Sequence, residues 1–266
     1  MNNPVPIAPS LISSPTKIVD GISIYERKDY NEWFEAEYTN TAEPWEYSKR
    51  ASELYRHIYT VQLIRRYNAA PKSLLELGCS KGLMTELLIP FNKAIYAADI
   101  SFTAMKACKK RCDAKAELYH CRMEYLVATT PGLPFAADSF DTVTLCDGLR
   151  GWWLPDEQKR IALEDTFRVL KKGGIAILTD YLPELNRGEA KAYEAMVRAS
   201  PLSIVEISFL YDKPWYKLES LLKKTGLQHK LRSILASIPL AKTLNTIGNL
   251  AGLKAARHIL IVVRKE

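Results

Sequence analysis

The sequence predicts an α/β protein, a Rossmann-like, doubly wound, mostly parallel sheet of seven strands with an antiparallel C-terminal edge and helical lid elements. Three observations carry that expectation. Apolar runs of strand length alternate with segments of helical periodicity between Ser73 and Asp180, the pattern of a parallel sheet covered on both faces. The run Ser73–Leu77 turns through Gly78-Cys79-Ser80-Lys81-Gly82 into a helical pattern at Leu83, Leu87 and Leu88. The next run, Ala94–Asp99, ends in a carboxylate 21 residues after Gly78.

The elements follow in order. Residues 1–24 are rich in Pro and Ser and are expected to form a loose leader. An N-terminal arm over 25–70 is dense in aromatics, among them Tyr25, Tyr30, Trp33, Phe34, Tyr38, Trp45 and Tyr47. It ends in a helix marked by Leu54, Ile58, Val61 and Ile64, stopped before Pro71. The main domain is assigned to 71–266. Its expected strands are 73–77, 94–99, one near 117–122, 141–146 and 175–180. Helices are expected over 83–89, 103–112 and 156–171, the last capped by Gly173-Gly174. Beyond Tyr181 come helices at 184–199 and 215–225, a strand near 227–235 and a final strand at 257–264, with insertions at about 184–214 and 238–256.

Composition bounds the function. With 47% hydrophobic and 25% charged residues among 266, the chain is an ordinary globular protein. It has no apolar run long enough for a transmembrane helix and no secretion signal at its start, which points to a cytoplasmic location. Cys79, Cys108, Cys112, Cys121 and Cys146 form no C-x-x-C pair, arguing against a disulfide framework or a metal site. The net charge of +7 lies wholly in residues 201–266, where 11 Lys/Arg face 4 Asp/Glu. An acidic substrate, an anionic surface or a solvated basic face all fit; no aromatic-basic pattern accompanies the charge, so no nucleic-acid partner is expected.

A strand, a glycine turn and a second strand ending in Asp99 describe a site for an adenosine-type cofactor, with Asp99 accepting both ribose hydroxyls. A dinucleotide needs G-x-G-x-x-G, and here the series reads Gly78, Ser80, Leu83. Instead Glu76 sits inside the motif, where it opposes a pyrophosphate but suits a cation. S-adenosylmethionine carries a sulfonium and an ammonium and no phosphate, so electrostatics favour it.

Glu76-x-Gly78-x-Ser80-x-Gly82 resembles the first motif of the class I S-adenosylmethionine-dependent methyltransferases. Leu133–Val143 and Leu170–Leu178 resemble that family's approaches to its fourth and fifth strands, in the right order. Glu43-Pro-Trp-Glu-Tyr-Ser and Glu53-Leu-Tyr-Arg56 are similar to a feature of its nodulation N-methyltransferase subgroup. The resemblance implies S-adenosyl-L-methionine as cofactor and a fixed set of neighbours for it. Gly78, Cys79, Ser80 and Gly82 would give backbone access, Glu76 would face the methionyl ammonium, and Asp99 with Ile100 would hold the ribose. Met123 and Glu124 would stand at the adenine, although Arg122-Met123 departs from the acidic-then-small pair common there. Cys146, Trp45 and Tyr47 would wall the sulfonium, and Arg56 or Arg50 would pair with the methionyl carboxylate.

Asp147, Arg150 and Tyr181 are the candidate catalytic residues, Asp147 as proton acceptor and Arg150 as anchor for an acidic group. Methyl transfer to nitrogen or oxygen of a small or medium acceptor is implied. A cofactor-binding protein without chemistry and a nucleotide-dependent oxidoreductase remain as alternatives. Leu240, Leu244, Ile247, Leu250 and Leu253 make one face of 238–256 apolar. A lid over an apolar or lipid-like acceptor, a homodimer contact, a peripheral membrane contact and a helix packed on its own domain all fit that face.

Overall fold

The computed structural model describes residues 9–25, 32–149, 154–182, 187–227, 234 and 236–266. The predicted core is present. Strands β3 (Leu74–Leu77), β4 (Ala94–Asp99), β5 (Arg122–Val127), β6 (Phe140–Cys146) and β7 (Leu170–Tyr181) run parallel in the order β5-β4-β3-β6-β7. Their near-continuous Val, Ile, Leu and Ala content reflects burial on both faces. One face is covered by α2 (Ala51–Tyr67), α3 (Leu83–Leu88) and α4 (Phe102–Tyr119), and the other by α5 (Asp156–Val169) and α6 (Arg187–Arg198).

Four differences from the sequence reading have physical causes. The supposed leader contains a hairpin, β1 (Lys17–Val19) and β2 (Ile22–Ile24), and β2 pairs parallel to β5, so the sheet has nine strands. Its turn, Asp20-Gly21, has both residues at positive φ (52° and 73°), the preferred chemistry of a two-residue hairpin. Helix α4 runs on to Tyr119, and the third strand begins only at Arg122. Leu118 and Tyr119, which look like strand residues, face solvent, and His120 closes the helix in the left-handed region. Gly173-Gly174 does not cap a helix. It lies in an irregular stretch of β7, where pairing with β6 jumps from Leu170 to Ile175.

Finally, the antiparallel edge is built from β8 (Ser203–Leu210) and β9 (His258–Arg264), with β9 between β7 and β8. The expected strand near 227–235 lies largely outside the described residues. Helix α7 (Lys213–Lys224) follows β8, and α8 (Ile238–Leu250) fills the 238–256 segment. Helix α8 packs on its own domain, with Ala241 and Gly248 buried and Ile238, Leu240 and Leu244 against the core. A Cβ on Gly248 would come within 2.1 Å of the Tyr211 carbonyl, so glycine permits this close approach. Ile247 and Leu250 alone among its large apolar residues stay exposed.

Candidate active site

The carboxyl ends of β3, β4, β5, β6 and β7 open onto a cavity of about 830 Å³, roofed by the N-terminal arm. A narrow recess of about 30 Å³ adjoins it, bounded by Glu76, Gly78, Met84, Arg56 and Asp147. The larger cavity by itself has the volume for an extended small molecule with a second one beside it.

The turn after β3 is shaped for close approach. Gly78 has φ +74°, and a Cβ there would lie 3.0 Å from the Cys146 carbonyl, so both conformation and space demand glycine. Ser80 takes φ 51° despite its side chain. Gly82 works differently from expectation. Its missing Cβ would stand 2.7 Å from the Cys108 Sγ and 3.2 Å from the Cys112 Sγ, so it lets α3 and α4 close together rather than admitting a ligand. Cys79 is buried against Met105, and burial pushes its thiol up to about 12.

Asp99 is fixed before any ligand arrives. Its Oδ2 accepts from the Ser80 N–H at 2.9 Å and its Oδ1 from the Ser101 N–H at 3.0 Å. Burial raises it to about 6, partly offset by those backbone donors. The Ile100 N–H adds to that opposing effect, and lone-pair capacity is still left for an outside donor.

Glu76 is buried behind the Gly78 turn, and neither carboxylate oxygen has a hydrogen-bond partner. Burial drives it up to about 8; the neighbouring Thr85 hydroxyl opposes this, and the Asp99 charge adds to the rise. An orphaned acid facing a recess is a costly feature. A cationic occupant removes that cost.

The arm is tied to this floor by named bonds. The Tyr38 hydroxyl, on α1 (Glu32–Asn40), donates to the Ser80 Oγ at 2.8 Å and accepts from the Trp45 Nε1 at 3.1 Å. Lys81 donates to the carbonyls of Tyr38, Thr41 and Ala42 at the end of α1. Glu35 takes the Thr103 N–H and hydroxyl at the start of α4. Trp45 and Tyr47 line the cavity as expected, Tyr47 lying edge-on to His57.

Arg56 is fully buried between Glu53 and Asp147, each at 3.0 Å. Burial would lower its pKa, but the Asp147 and Glu53 charges hold it well above the ordinary arginine value. Asp147 has both oxygens engaged, Oδ2 by Arg56 and Oδ1 by the Tyr181 N–H at 3.1 Å. That arrangement makes it a clamp joining α2 to the end of β7 rather than a poised base. The far wall consists of Tyr181, Tyr216, Arg257 and His258. Arg257 bonds Glu53 at 2.7 Å and Asp212 at 3.3 Å, and its guanidinium lies 3.9 Å from the centre of the Tyr216 ring.

The structure therefore brings together Glu76, Gly78, Cys79, Ser80, Asp99, Ile100, Cys146, Trp45, Tyr47, Arg56, Asp147 and Tyr181. It removes Met123 and Glu124. They pair with Ile95 and Tyr96 at the opposite end of the sheet, three to four residues before Val127, which pairs with Asp99. At ~3.3 Å per residue that is roughly 10–13 Å from the crevice. Glu124 is bonded instead to Arg122 at 2.7 Å. The turn that takes their place is Ala128-Thr129-Thr130-Pro131, which lines the cavity beside Ile100. Arg150 lies outside the described residues. No residue of 238–256 lines the cavity, so α8 is not a lid over it. Among the described residues no cluster of His, Cys, Asp and Glu is placed to hold a metal ion, and no helix is long and apolar enough to cross a membrane.

Residues 75–178 match the family model of a methyltransferase domain. The chain carries a class I S-adenosylmethionine-dependent methyltransferase domain. It is 29% identical over 142 residues to a demethylmenaquinone methyltransferase of Clavibacter sepedonicus, covering 52% of this chain and 53% of that protein. It is 37% identical over 82 residues to a ubiquinone/menaquinone biosynthesis C-methyltransferase of Dinoroseobacter shibae, covering 30% and 31%. The matched part thus spans about half or less of these relatives. In three dimensions the chain resembles the N-methyltransferase NodS of Bradyrhizobium japonicum, solved with S-adenosylhomocysteine, at TM-score 0.59 and 15% identity over 89% of this chain and 98% of that one. The likeness to NodS shows a shared fold.

Proposed function

We propose that this chain transfers a methyl group from S-adenosylmethionine to a small-molecule acceptor seated between the N-terminal arm and the ends of β6, β7 and β9. The observation that carries the reading is Glu76, a buried carboxyl without a partner, facing the recess beside Gly78 and the ribose-type acceptor Asp99. An ammonium satisfies Glu76, and two vicinal hydroxyls satisfy the free lone pairs of Asp99. Arg56 stands at the same recess to face a carboxylate, and Ile100 with Ala128–Pro131 offers an apolar slot for a flat base.

When bound, S-adenosylmethionine supplies a methyl group already activated by its sulfonium. What remains for the protein is alignment and the exclusion of water. Tyr38, Lys81 and Glu35 hold the arm down, so Trp45 and Tyr47 roof the reacting end. Asp147 positions Arg56 and the end of β7. On the far wall His258, its ring centre 5.6 Å from that of Tyr181, is the side chain able to receive a proton from an acceptor hydroxyl, whereas burial pushes the Tyr181 phenol up and keeps it a donor.

The sequence relatives, which act in menaquinone and ubiquinone biosynthesis and include a C-methyltransferase, favour carbon of a quinone-type ring as the methylated atom; NodS shares the fold alone. Aromatic walls at Tyr47, Tyr181 and Tyr216 suit a flat ring acceptor. Calorimetric titration with S-adenosylhomocysteine, and with NADH as the contrasting ligand, tests the cofactor. Mass spectrometry of hydroquinones, phenols and amines incubated with methyl-labelled S-adenosylmethionine then reads the acceptor. Binding of NADH in place of S-adenosylhomocysteine would refute the reading, and tight binding without turnover on any acceptor would favour a non-catalytic binding protein.

A further inference from the structure

At the mouth of the cavity three cations stand where one carboxylate is available to them. Arg50, at the N-terminal boundary of α2, bonds Glu46 through Nη2 at 3.1 Å, and the other oxygen of Glu46 is bonded by Lys223 of α7 at 2.8 Å. Burial opposes ionisation of Glu46, yet Lys223 and Arg50 hold it below the usual carboxylate range. Lys49 lines the same opening. The other acids lining the cavity are already engaged. Glu43 is taken by the Ser48 N–H and hydroxyl, Glu53 by Arg56 and Arg257, Asp147 by Arg56, and Asp99 by backbone donors.

Two guanidinium N–H groups are left over. Arg50 Nη1 and Arg257 Nε are shut off from bulk water with no hydrogen-bond partner. Both guanidinium groups stack on Tyr216, Arg50 at 4.7 Å and Arg257 at 3.9 Å from its ring centre. A planar fork held on a ring is pre-organised for an oxyanion, and an unmatched buried donor on a cation is expensive to leave unmet. Arg56 borders the recess of Glu76, whereas the side chains of Arg50 and Arg257 line the wider cavity.

We propose that Arg50, Lys223 and Tyr216 form a subsite for an oxyanionic group, a carboxylate or a phosphate, on the methyl acceptor. The substrate is then an aromatic or similarly flat molecule carrying a negative charge at the end away from the methylated atom. This inference rests on the methyl-transfer reading above.

The test uses the full chain saturated with S-adenosylhomocysteine, titrated with phenyl phosphate, 4-hydroxybenzoate, phenol and benzylamine. One or both anionic probes should bind about tenfold or more tighter than phenol, and benzylamine should bind weakest. Raising the salt from ~50 to ~500 mM should erode that preference. Whichever anion binds tighter tells a carboxylate from a phosphate source. Lys223→Gln should reduce the preference with S-adenosylhomocysteine affinity and melting temperature kept, and Arg50→Gln should remove it. Phenol binding as tightly as both anions overturns the subsite alone, as does an anion preference that survives both substitutions. No binding of S-adenosylhomocysteine overturns the subsite together with the reading beneath it.

Discussion

Replacing Glu76 by Gln should act with opposite sign on stability and on cofactor binding. The carboxyl has a reference value of 4.5 and is pushed up to about 8 in the fold, chiefly by burial. Below pH 4.5 both folded and unfolded chains hold the proton. Between 4.5 and 8 the unfolded chain releases it and the folded chain does not, so stability falls as pH rises. At ~1.4 kcal/mol per pH unit this reaches about 5 kcal/mol at most by pH 8. Gln has nearly the shape of the protonated acid and does not titrate. The variant should melt close to wild type at pH 5 and progressively above it towards pH 8. A gap of even ~2 kcal/mol corresponds to about 4–8 °C in a chain of this size.

The cofactor's ammonium needs the ionised form, so the same substitution should weaken S-adenosylhomocysteine by about 100-fold or more, the cost of breaking one side of a buried ion pair. In wild type the affinity should strengthen from pH 6 to 8, with proton release visible as a dependence of the calorimetric heat on buffer. A melting difference that stays flat across pH 5–8 would show that Glu76 is not held protonated. Undiminished affinity in the variant would show that it does not meet the ammonium.

Asp99→Ala should weaken S-adenosylhomocysteine roughly ten- to hundredfold by calorimetry, since a charged acceptor of two hydroxyls contributes about 1.5–3 kcal/mol; unchanged affinity would place the ribose elsewhere. Gly82→Ala should lower the melting temperature by about 5 °C or more without touching the cavity, because the new Cβ meets Cys108 and the residue sits at φ +79°. Tyr38→Phe removes the hydroxyl joining Ser80 to Trp45, so proteolytic cleavage within 32–50 should accelerate severalfold without ligand. Cleavage at the wild-type rate would mean that Lys81 and Glu35 suffice to hold the arm.

The candidate cofactor site was legible in the sequence because it is local. Glu76, Gly78, Ser80 and Asp99 act through a strand, its turn and the next strand end, and a short motif with fixed spacing specifies all three. Hydrophobic periodicity likewise placed β3, β4, β6 and the body of β7, whose runs are buried on both faces. Periodicity failed at Leu118 and Tyr119, where apolar residues on an exposed helix end imitate a strand. That shift of about five residues carried Met123 and Glu124 to the wrong end of the sheet. The Asp20-Gly21 signal was present but short, and a two-stranded hairpin becomes stable only when β2 finds β5.

The proposed acceptor subsite could come only from the tertiary structure. Arg50, Tyr216, Lys223 and Arg257 are up to about two hundred residues apart in sequence and share no spacing. Packing of α2, α7 and β9 sets one carboxylate between two cations and leaves two guanidinium donors unmatched. Asp147 shows the same dependence, since in the sequence it reads as a free acid at a strand end. Contact with Arg56, 91 residues earlier, turns it into a structural clamp. Charge and polarity are written residue by residue, but whether a charge is met is a property of what folding brings beside it.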